Sequence, residues 1–295
     1  MKHIKTRPMR VCAIHDLSAF GRCALTVVIP TLSALGIQTI PLPTALMSTH
    51  TGGYDDIYIR DLSSDMNGMK AHWKSLGVTF DAIYSGFVLN ASQGEIIREL
   101  IEEFSDNSPL VLVDPVMGDD GVLYSTCTDE LREVMAQLCE HAHVITPNLT
   151  EACILTGTPY PADIPTSESA ARELAKDLLS KLCELCSKVA ITGIEYNDGT
   201  PRVMTAVCDG NTMRYYSQEK FGASYPGTGE LFASVLLGMM LDGELFPSAA
   251  RYAGQFVADT IAASDKVIDE ERHGTALEPS LMKLAHDTYE KMKNE

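Results

Sequence analysis

Short continuous runs of apolar residues alternate, over most of the chain, with longer segments in which apolar positions recur every three or four residues. The runs Arg10–Ile14, Gln38–Pro41, Ala82–Gly86, Leu110–Val113, His143–Thr146 and Lys188–Thr192 are predicted strands. Among the periodic segments, Gln93–Phe104 places Ile96, Ile97, Leu100, Ile101 and Phe104 on one face, and Leu25–Leu35 and Ser167–Ser187 are further predicted helices. Strands that are apolar throughout need cover on both sides, which a parallel sheet between two helical layers supplies. After Thr192 the pattern changes. Val203–Cys208 and Thr212–Ser217 flank Asp209-Gly210-Asn211 and read as a β-hairpin. Three predicted helices, Thr228–Leu241, Ser248–Ala263 and Pro279–Lys293, close the chain. No repeat, low-complexity tract or long linker interrupts this order, so residues 1–295 are expected to form one α/β domain.

Composition narrows what such a domain does. The chain has 23 basic and 40 acidic side chains, a net charge of −17. No stretch gathers Lys and Arg into a phosphate-tracking patch, which argues against a nucleic-acid partner. An anionic nucleotide must then be held by backbone N–H groups and a metal ion. The opening Met1–Arg10 is basic, but Val11–Ile14 is too short for a signal-peptide core. No uninterrupted apolar segment is long enough to span a bilayer, so a soluble cytoplasmic protein with no membrane partner is expected. The eight cysteines are scattered, with Cys12 in a predicted strand and Cys139, Cys183 and Cys186 in predicted helices. Cys183-Glu-Leu-Cys186 has redox or metal spacing but no second pair or Cys/His partner nearby, so buried structural thiols are expected.

The candidate chemistry gathers at predicted strand ends, where open parallel sheets bind ligands. Residues 226–241 read P-G-T-G-E-L-F-A-S-V-L-L-G-M-M-L, a glycine turn and one acid opening an apolar helix. Gly227 and Gly229 let successive N–H groups point one way, and the helix N-terminus adds its unpaired donors and positive dipole end. Glu230 stands beside that cradle, placed to take a proton from an alcohol. Alone, the segment reads better as a plain capped glycine turn. Asp114 follows Leu110–Val113 within D-P-V-M-G-D-D-G; it is either a Mg²⁺ carboxylate or the start of a Pro/Gly turn. In Thr146-Pro147-Asn148-Leu149-Thr150-Glu151, Asn148 and Glu151 have capping-box spacing, which competes with a role for Glu151 in ordering metal-bound water. Thr192-Gly193 offers a hydroxyl and a flexible backbone to a phosphate. Neither a P-loop nor a full dinucleotide fingerprint is present.

In that order, D-P-V-M-G-D, T-P-N-L-T-E, I-T-G and P-G-T-G-E-L-F-A-S resemble the ribokinase-like superfamily and, within it, the pyridoxal/pyridoxamine kinases. The resemblance runs from about Val11 to about Ala263. It implies a ribokinase-like three-layer α/β sandwich, a central, mostly parallel sheet with helices on both faces. It also implies Mg²⁺ with ATP as phosphoryl donor, phosphorylation of the hydroxymethyl group of a B6 vitamer, and a cytoplasmic homodimer. On matching positions, Gly227, Thr228 and Gly229 would form the anion hole and Glu230 would stand at the catalytic-base position. Asp114, Asn148 and Glu151 would belong to the Mg·ATP network, Asp114 and Glu151 toward the metal, and Thr192 to the phosphate site.

The substrate end departs from the family pattern. Thr49-His50-Thr51-Gly52-Gly53-Tyr54 is similar to the family's N-H-T-G-Y with one extra glycine, which leaves His50 and Thr51 as candidates for the ring substituents. Phe87 would pack on the ring or serve as a core aromatic. The family's Ser-His after the first strand is replaced by His15-Asp16-Leu17-Ser18, which turns Asp16 and Ser18 toward the substrate. Hydroxymethylpyrimidine kinases also carry an Asp-containing, glycine-rich segment here, so an aminomethyl-pyridine and an aminopyrimidine alcohol are both open. Glu230 replaces the aspartate of the family's G-T-G-D. Misplacement on the order of 1 Å can cost roughly a hundredfold in rate, so a compensated kinase, a slow one and a non-catalytic vitamer- or nucleotide-binding protein are the three outcomes.

Overall fold

The computed structural model describes residues 7–222, 224–265, 267–268 and 270–293. Most of the basic start, Met1–Thr6, lies outside the described residues. The chain opens with β1 (Arg10–Phe20), α1 (Leu25–Ala34), β2 (Gln38–Thr49) and the short β3 (Ile59–Asp61). It continues through α2 (Ser63–Ser75), β4 (Ala82–Ser85), α3 (Ala91–Glu103) and β5 (Leu110–Val113) to a small ribbon, β6 (Gly118–Asp119) with β7 (Val122–Leu123). Next come α4 (Asp129–Glu140), β8 (Val144–Ile145), α5 (Leu149–Thr156), α6 (Glu168–Leu182) and β9 (Lys188–Asn197). The hairpin β10 (Pro201–Asp209) and β11 (Thr212–Glu219) leads to α7 (Thr228–Leu241), α8 (Phe246–Ser264) and α9 (Leu277–Lys293).

Nine strands form one sheet in the order β11-β10-β9-β8-β5-β4-β1-β2-β3. The pairs from β9 to β2 are parallel, while β3 and the β10–β11 hairpin add antiparallel margins. Alternating side chains of each central strand feed two separate cores. On one face Ile83, Val111 and Val113 pack with α3 to α6; on the other Ala82, Tyr84 and Leu112 pack with α1, α7 and α8. This is the expected three-layer ribokinase-like sandwich.

Several strands outrun their sequence signal. β1 continues from Ile14 to Phe20, so His15–Ser18 lies inside the strand rather than after it. Opposite it β2 continues past Pro41 and Pro43 to Thr49. Gln38 N–H donates to Met9, so the even positions of β2 point their donors at β1. The two prolines fall on the outward side, where this stretch of β2 has no neighbour and no donor is missed. β9 likewise passes through Thr192-Gly193 to Asn197, with a register shift opposite Met204/Ala206 and a positive φ of 72° at Gly193. Conversely α6 ends at Leu182. Cys183 caps it, and Cys186 lies beyond the helix with its Sγ 3.4 Å from the Ala142 and Lys188 carbonyls. The cysteines are free thiols.

Candidate active site

A cavity of about 620 Å³ opens at the carboxyl ends of the parallel strands. Asp16, His50, Thr51, Phe87, Asp114, Asn148, Glu151, Thr192, Gly227, Thr228, Gly229 and Glu230 all line it. Ser18 does not line it; it is fully buried and donates to Asp16 Oδ2 at 2.7 Å.

At its centre is the N-terminus of α7. Gly227 precedes the helix at φ 86°, and a Cβ there would meet the Arg22 carbonyl at 2.2 Å, so glycine is required. Gly229 differs from the sequence expectation. It lies in the first helical turn without positive φ, and an added Cβ would find only Asp114 Oδ2, at 3.8 Å. Its bareness keeps space open rather than permitting a turn. No side chain caps α7, and the Thr228 hydroxyl turns away to the Tyr225 carbonyl at 3.0 Å. The first N–H groups of the helix therefore have no capping side chain, and that of Glu230 alone meets a carboxylate, its own.

Acids crowd around this terminus. Asp16, Asp114 and Glu151 are buried and Glu230 half-buried. Asp16 occupies the register irregularity between β1 and β2, which aims it into the cavity. Burial pushes its carboxyl up to about 7, with the Ser18 hydrogen bond opposing and Glu230 reinforcing. Burial, then the neighbouring Glu230, pushes Asp114 up to about 8. Burial and Asp114 hold Glu151 well above the carboxylate range. Glu230 is raised by burial, offset in part by backbone donors that include the Ala24 N–H, 3.2 Å from Oε1. The basic residues lining the cavity, Lys220 and Arg272, are already paired with Glu195 and Glu270. Such a cluster favours a cationic guest.

Asn148 and Glu151 form the complete capping box of α5: Asn148 Oδ1 accepts from Glu151 N–H at 2.9 Å, and Glu151 Oε2 from Asn148 N–H at 2.8 Å. Glu151 Oε1 also accepts from Met117 N–H at 3.1 Å. The structural role is thus present and fixes where the carboxylate points. Among the described residues no group of three or more His, Cys, Asp or Glu is arranged to hold a metal ion by itself. The pair Asp114 and Glu151 fits a hard cation whose remaining ligands are phosphate and water oxygens.

At the other end, the His50 ring is fully engaged. Nδ1 accepts from Gly52 N–H at 3.1 Å, which leaves Nε2–H to donate to the Arg272 carbonyl at 2.7 Å. Its edge meets Tyr54 at 5.1 Å, and the Arg272 guanidinium lies over the same Tyr54 ring at 4.9 Å. His50 thus fastens the loop after β2 to the loop after α8. Phe87 packs with Ala45 and Met47, as a core aromatic does, and also shows its surface to the cavity. Sequence reasoning missed Thr205, Gln218, Val257 and Ile261, which line the far half. The predicted hairpin held Thr205, and the predicted helix Ser248–Ala263 held Val257 and Ile261, but nothing in the pattern tied either to the site.

The phosphomethylpyrimidine kinase family profile matches residues 28–275. A Bacteroides thetaiotaomicron protein with the phosphomethylpyrimidine kinase designation, crystallised with pyridoxal, is 37% identical, with a TM-score of 0.84 over 94% of this chain and 96% of that one. The pyridoxal kinase of Lactobacillus plantarum is 29% identical with a TM-score of 0.83, over 94% and 97% of the two chains. The pyridoxine/pyridoxal/pyridoxamine kinase of Bordetella avium is 26% identical over 262 residues, 86% of this chain and 85% of its own. No helix among the described residues is long and apolar enough to cross a membrane.

Proposed function

Because the chain belongs to the phosphomethylpyrimidine kinase family, we propose that it moves the γ-phosphoryl group of ATP onto the hydroxymethyl oxygen of pyridoxal or pyridoxamine. The observation that carries this reading is the uncapped N-terminus of α7 opening into a cavity walled by Asp16, Asp114, Glu151 and Glu230. The likeness to the pyridoxal-bound Bacteroides protein favours a B6 vitamer over a pyrimidine. Asp16 keeps hydroxymethylpyrimidine as the second acceptor.

Glu230 takes the proton as the hydroxymethyl oxygen attacks phosphorus and the bond to ADP breaks. Burial raises its pKa above the ordinary carboxylate range, which makes it a better proton acceptor. The N–H groups of Gly227, Thr228 and Gly229 meet the charge on the phosphoryl oxygens. Asp114 and Glu151 would hold Mg²⁺, which would supply neutralisation of phosphate charge; Asn148 orients Glu151. Thr192 faces the phosphates from the irregularity in β9. Asp16, fixed by Ser18, meets the amino or hydroxyl group of the acceptor, with Phe87 against its ring. His50 and Thr51 shape the loop over that ring. A cytoplasmic homodimer completes the reading, supported by the exposed Phe20, Tyr58 and Ile59 near the β3 margin.

Turnover with pyridoxal, pyridoxamine and hydroxymethylpyrimidine under saturating Mg·ATP tests the proposal. Phosphorylation of a B6 vitamer is expected; preference for the pyrimidine would reassign the acceptor, and binding without turnover would remove the kinase reading.

A further inference from the structure

Behind Asp114 and Glu230 lies a set of polar side chains that are not among the candidate site residues. Tyr84 stands on β4 beside β5, on the face covered by α7, and is fully buried. Its hydroxyl has no hydrogen-bond partner among the described residues, and neither does that of Ser234, which is also fully buried. Ser234 sits on α7 one turn beyond Glu230, on the same side of the helix. The imidazole of His15 meets the Tyr84 ring edge-on at 4.4 Å and leaves both of its nitrogens unpartnered. A Cβ on Gly86 would strike His15 at 2.3 Å, so this packing is tight.

Buried hydroxyls without partners are rare, and each needs a reason. Asp114 lies beside Tyr84 in the sheet, its N–H donating to the carbonyl of the next residue, Ser85, at 2.8 Å; Asp114 and Glu230 both reinforce the rise that burial gives the Tyr84 pKa, and the Ser234 hydroxyl opposes it. Hydrogen bonds at active sites are often unformed before substrates arrive and tighten in the loaded complex. Glu230 itself is faced by Asp16 from β1, Asp114 after β5, Cys23 before α1, Tyr124 after the β6–β7 ribbon and His50 from the loop after β2. Tyr84 approaches this group from β4 and Ser234 from α7, and neither lines the cavity itself.

We infer that Tyr84 and Ser234 are positioning residues for the carboxylate pair: in the loaded site the Tyr84 hydroxyl, steadied by Ser234, donates to the pair from behind and fixes the reach of the longer Glu230 side chain. This rests on the assignment of Glu230 as the base.

The test compares Tyr84→Phe, Ser234→Ala, Ser234→Thr and Glu230→Gln in the full chain with Mg·ATP and the preferred acceptor. Tyr84→Phe keeps the ring on His15 and removes only the oxygen. It should lower kcat by about tenfold or more, as expected for a hydrogen bond to a charged group, with both KM values within about twofold. Ser234→Ala should lower kcat in the same selective way, and Ser234→Thr should restore it. Tyr84→Phe should cost little more in a Glu230→Asp background, because the two changes disturb one unit. Wild-type kcat in both Tyr84→Phe and Ser234→Ala, or kcat and KM changing together with melting temperature, would overturn the inference. If Tyr84→Phe does not fold, the Ser234 pair decides. Full activity in Glu230→Gln would instead remove the base assignment, a separate failure.

Discussion

The Glu230 carboxylate reaches the backbone N–H of Ala24, 3.2 Å from Oε1, and so ties the first turn of α7 to the residue that opens α1. Ala24 holds a φ of 48°, an uncommon value for a residue with a side chain, which turns its N–H toward the cavity. The extra methylene of glutamate thus has a partner.

That partner decides the effect of restoring the family's aspartate. Glu230→Asp withdraws the carboxylate from Ala24, so kcat should fall, roughly tenfold to a hundredfold for a displacement on the order of 1 Å. Glu230→Gln keeps length but cannot accept the proton, and should lower kcat further with little change in KM. Steady-state kinetics settles both; a faster Glu230→Asp enzyme would show that the Ala24 contact does not fit the pocket to glutamate.

Gly227 and Gly229 should fail differently. Gly227→Ala forces a side chain into positive φ and onto the Arg22 carbonyl, so loss of stability of roughly 1–3 kcal/mol or more is expected in chemical denaturation. Gly229→Val meets no backbone obstacle but fills the approach to the helix N-terminus beside Asp114. It should melt near the wild-type temperature and lose most of its kcat. Normal turnover in folded Gly229→Val would remove the cradle.

Asp114→Asn should weaken Mg·ATP binding by on the order of tenfold, measured by titration calorimetry with and without chelator. Equal ATP affinity in all conditions would take Asp114 out of the metal site.

The buried acids also predict a pH dependence. Asp16 at about 7 and Asp114 at about 8 hold protons in the folded chain that the unfolded chain has released above their ordinary value of 3.8. Stability therefore falls as pH rises toward and through those values. His15, held down at about 3, acts the other way, but only below the ordinary histidine value of 6.5. Between pH 6.5 and about 8 the acids act unopposed. The ligand-free protein should melt lower at the alkaline end of that window, and Mg·ADP should shrink the difference. A flat or rising melting temperature would contradict the burial of these acids.

The parts legible in the sequence are those whose signal is local. Thr228–Leu241 emerged with its bounds intact because an uninterrupted apolar helix follows a glycine turn. The central strands were legible because burial on both faces makes them continuously apolar. α2 escaped because it buries little beyond Met66 and Lys70 and carries Gly68, so its period is faint. The outer halves of β1 and β2 escaped because Asp16 points into a polar cavity with Ser18 buried behind it, and because Pro41 and Pro43 read as strand ends until the direction of their missing donors is known. Motif order brought most of the cavity-lining residues together, but the full commitment of the His50 ring and the Ala24 contact depend on chain segments far apart in sequence.

The two walls of the cavity come from distant stretches of chain. In the proposed reaction the acceptor side of the cavity draws on residues 16, 50–51 and 87, and the far side on residues 192–193, 203–205, 218–219 and 254–261. The start of α7 lies in the same cavity. On that reading, substitutions that retune the acceptor wall leave the hairpin untouched. A lineage built this way can trade one small alcohol for another through changes near its beginning, while inheriting its phosphoryl donor unaltered.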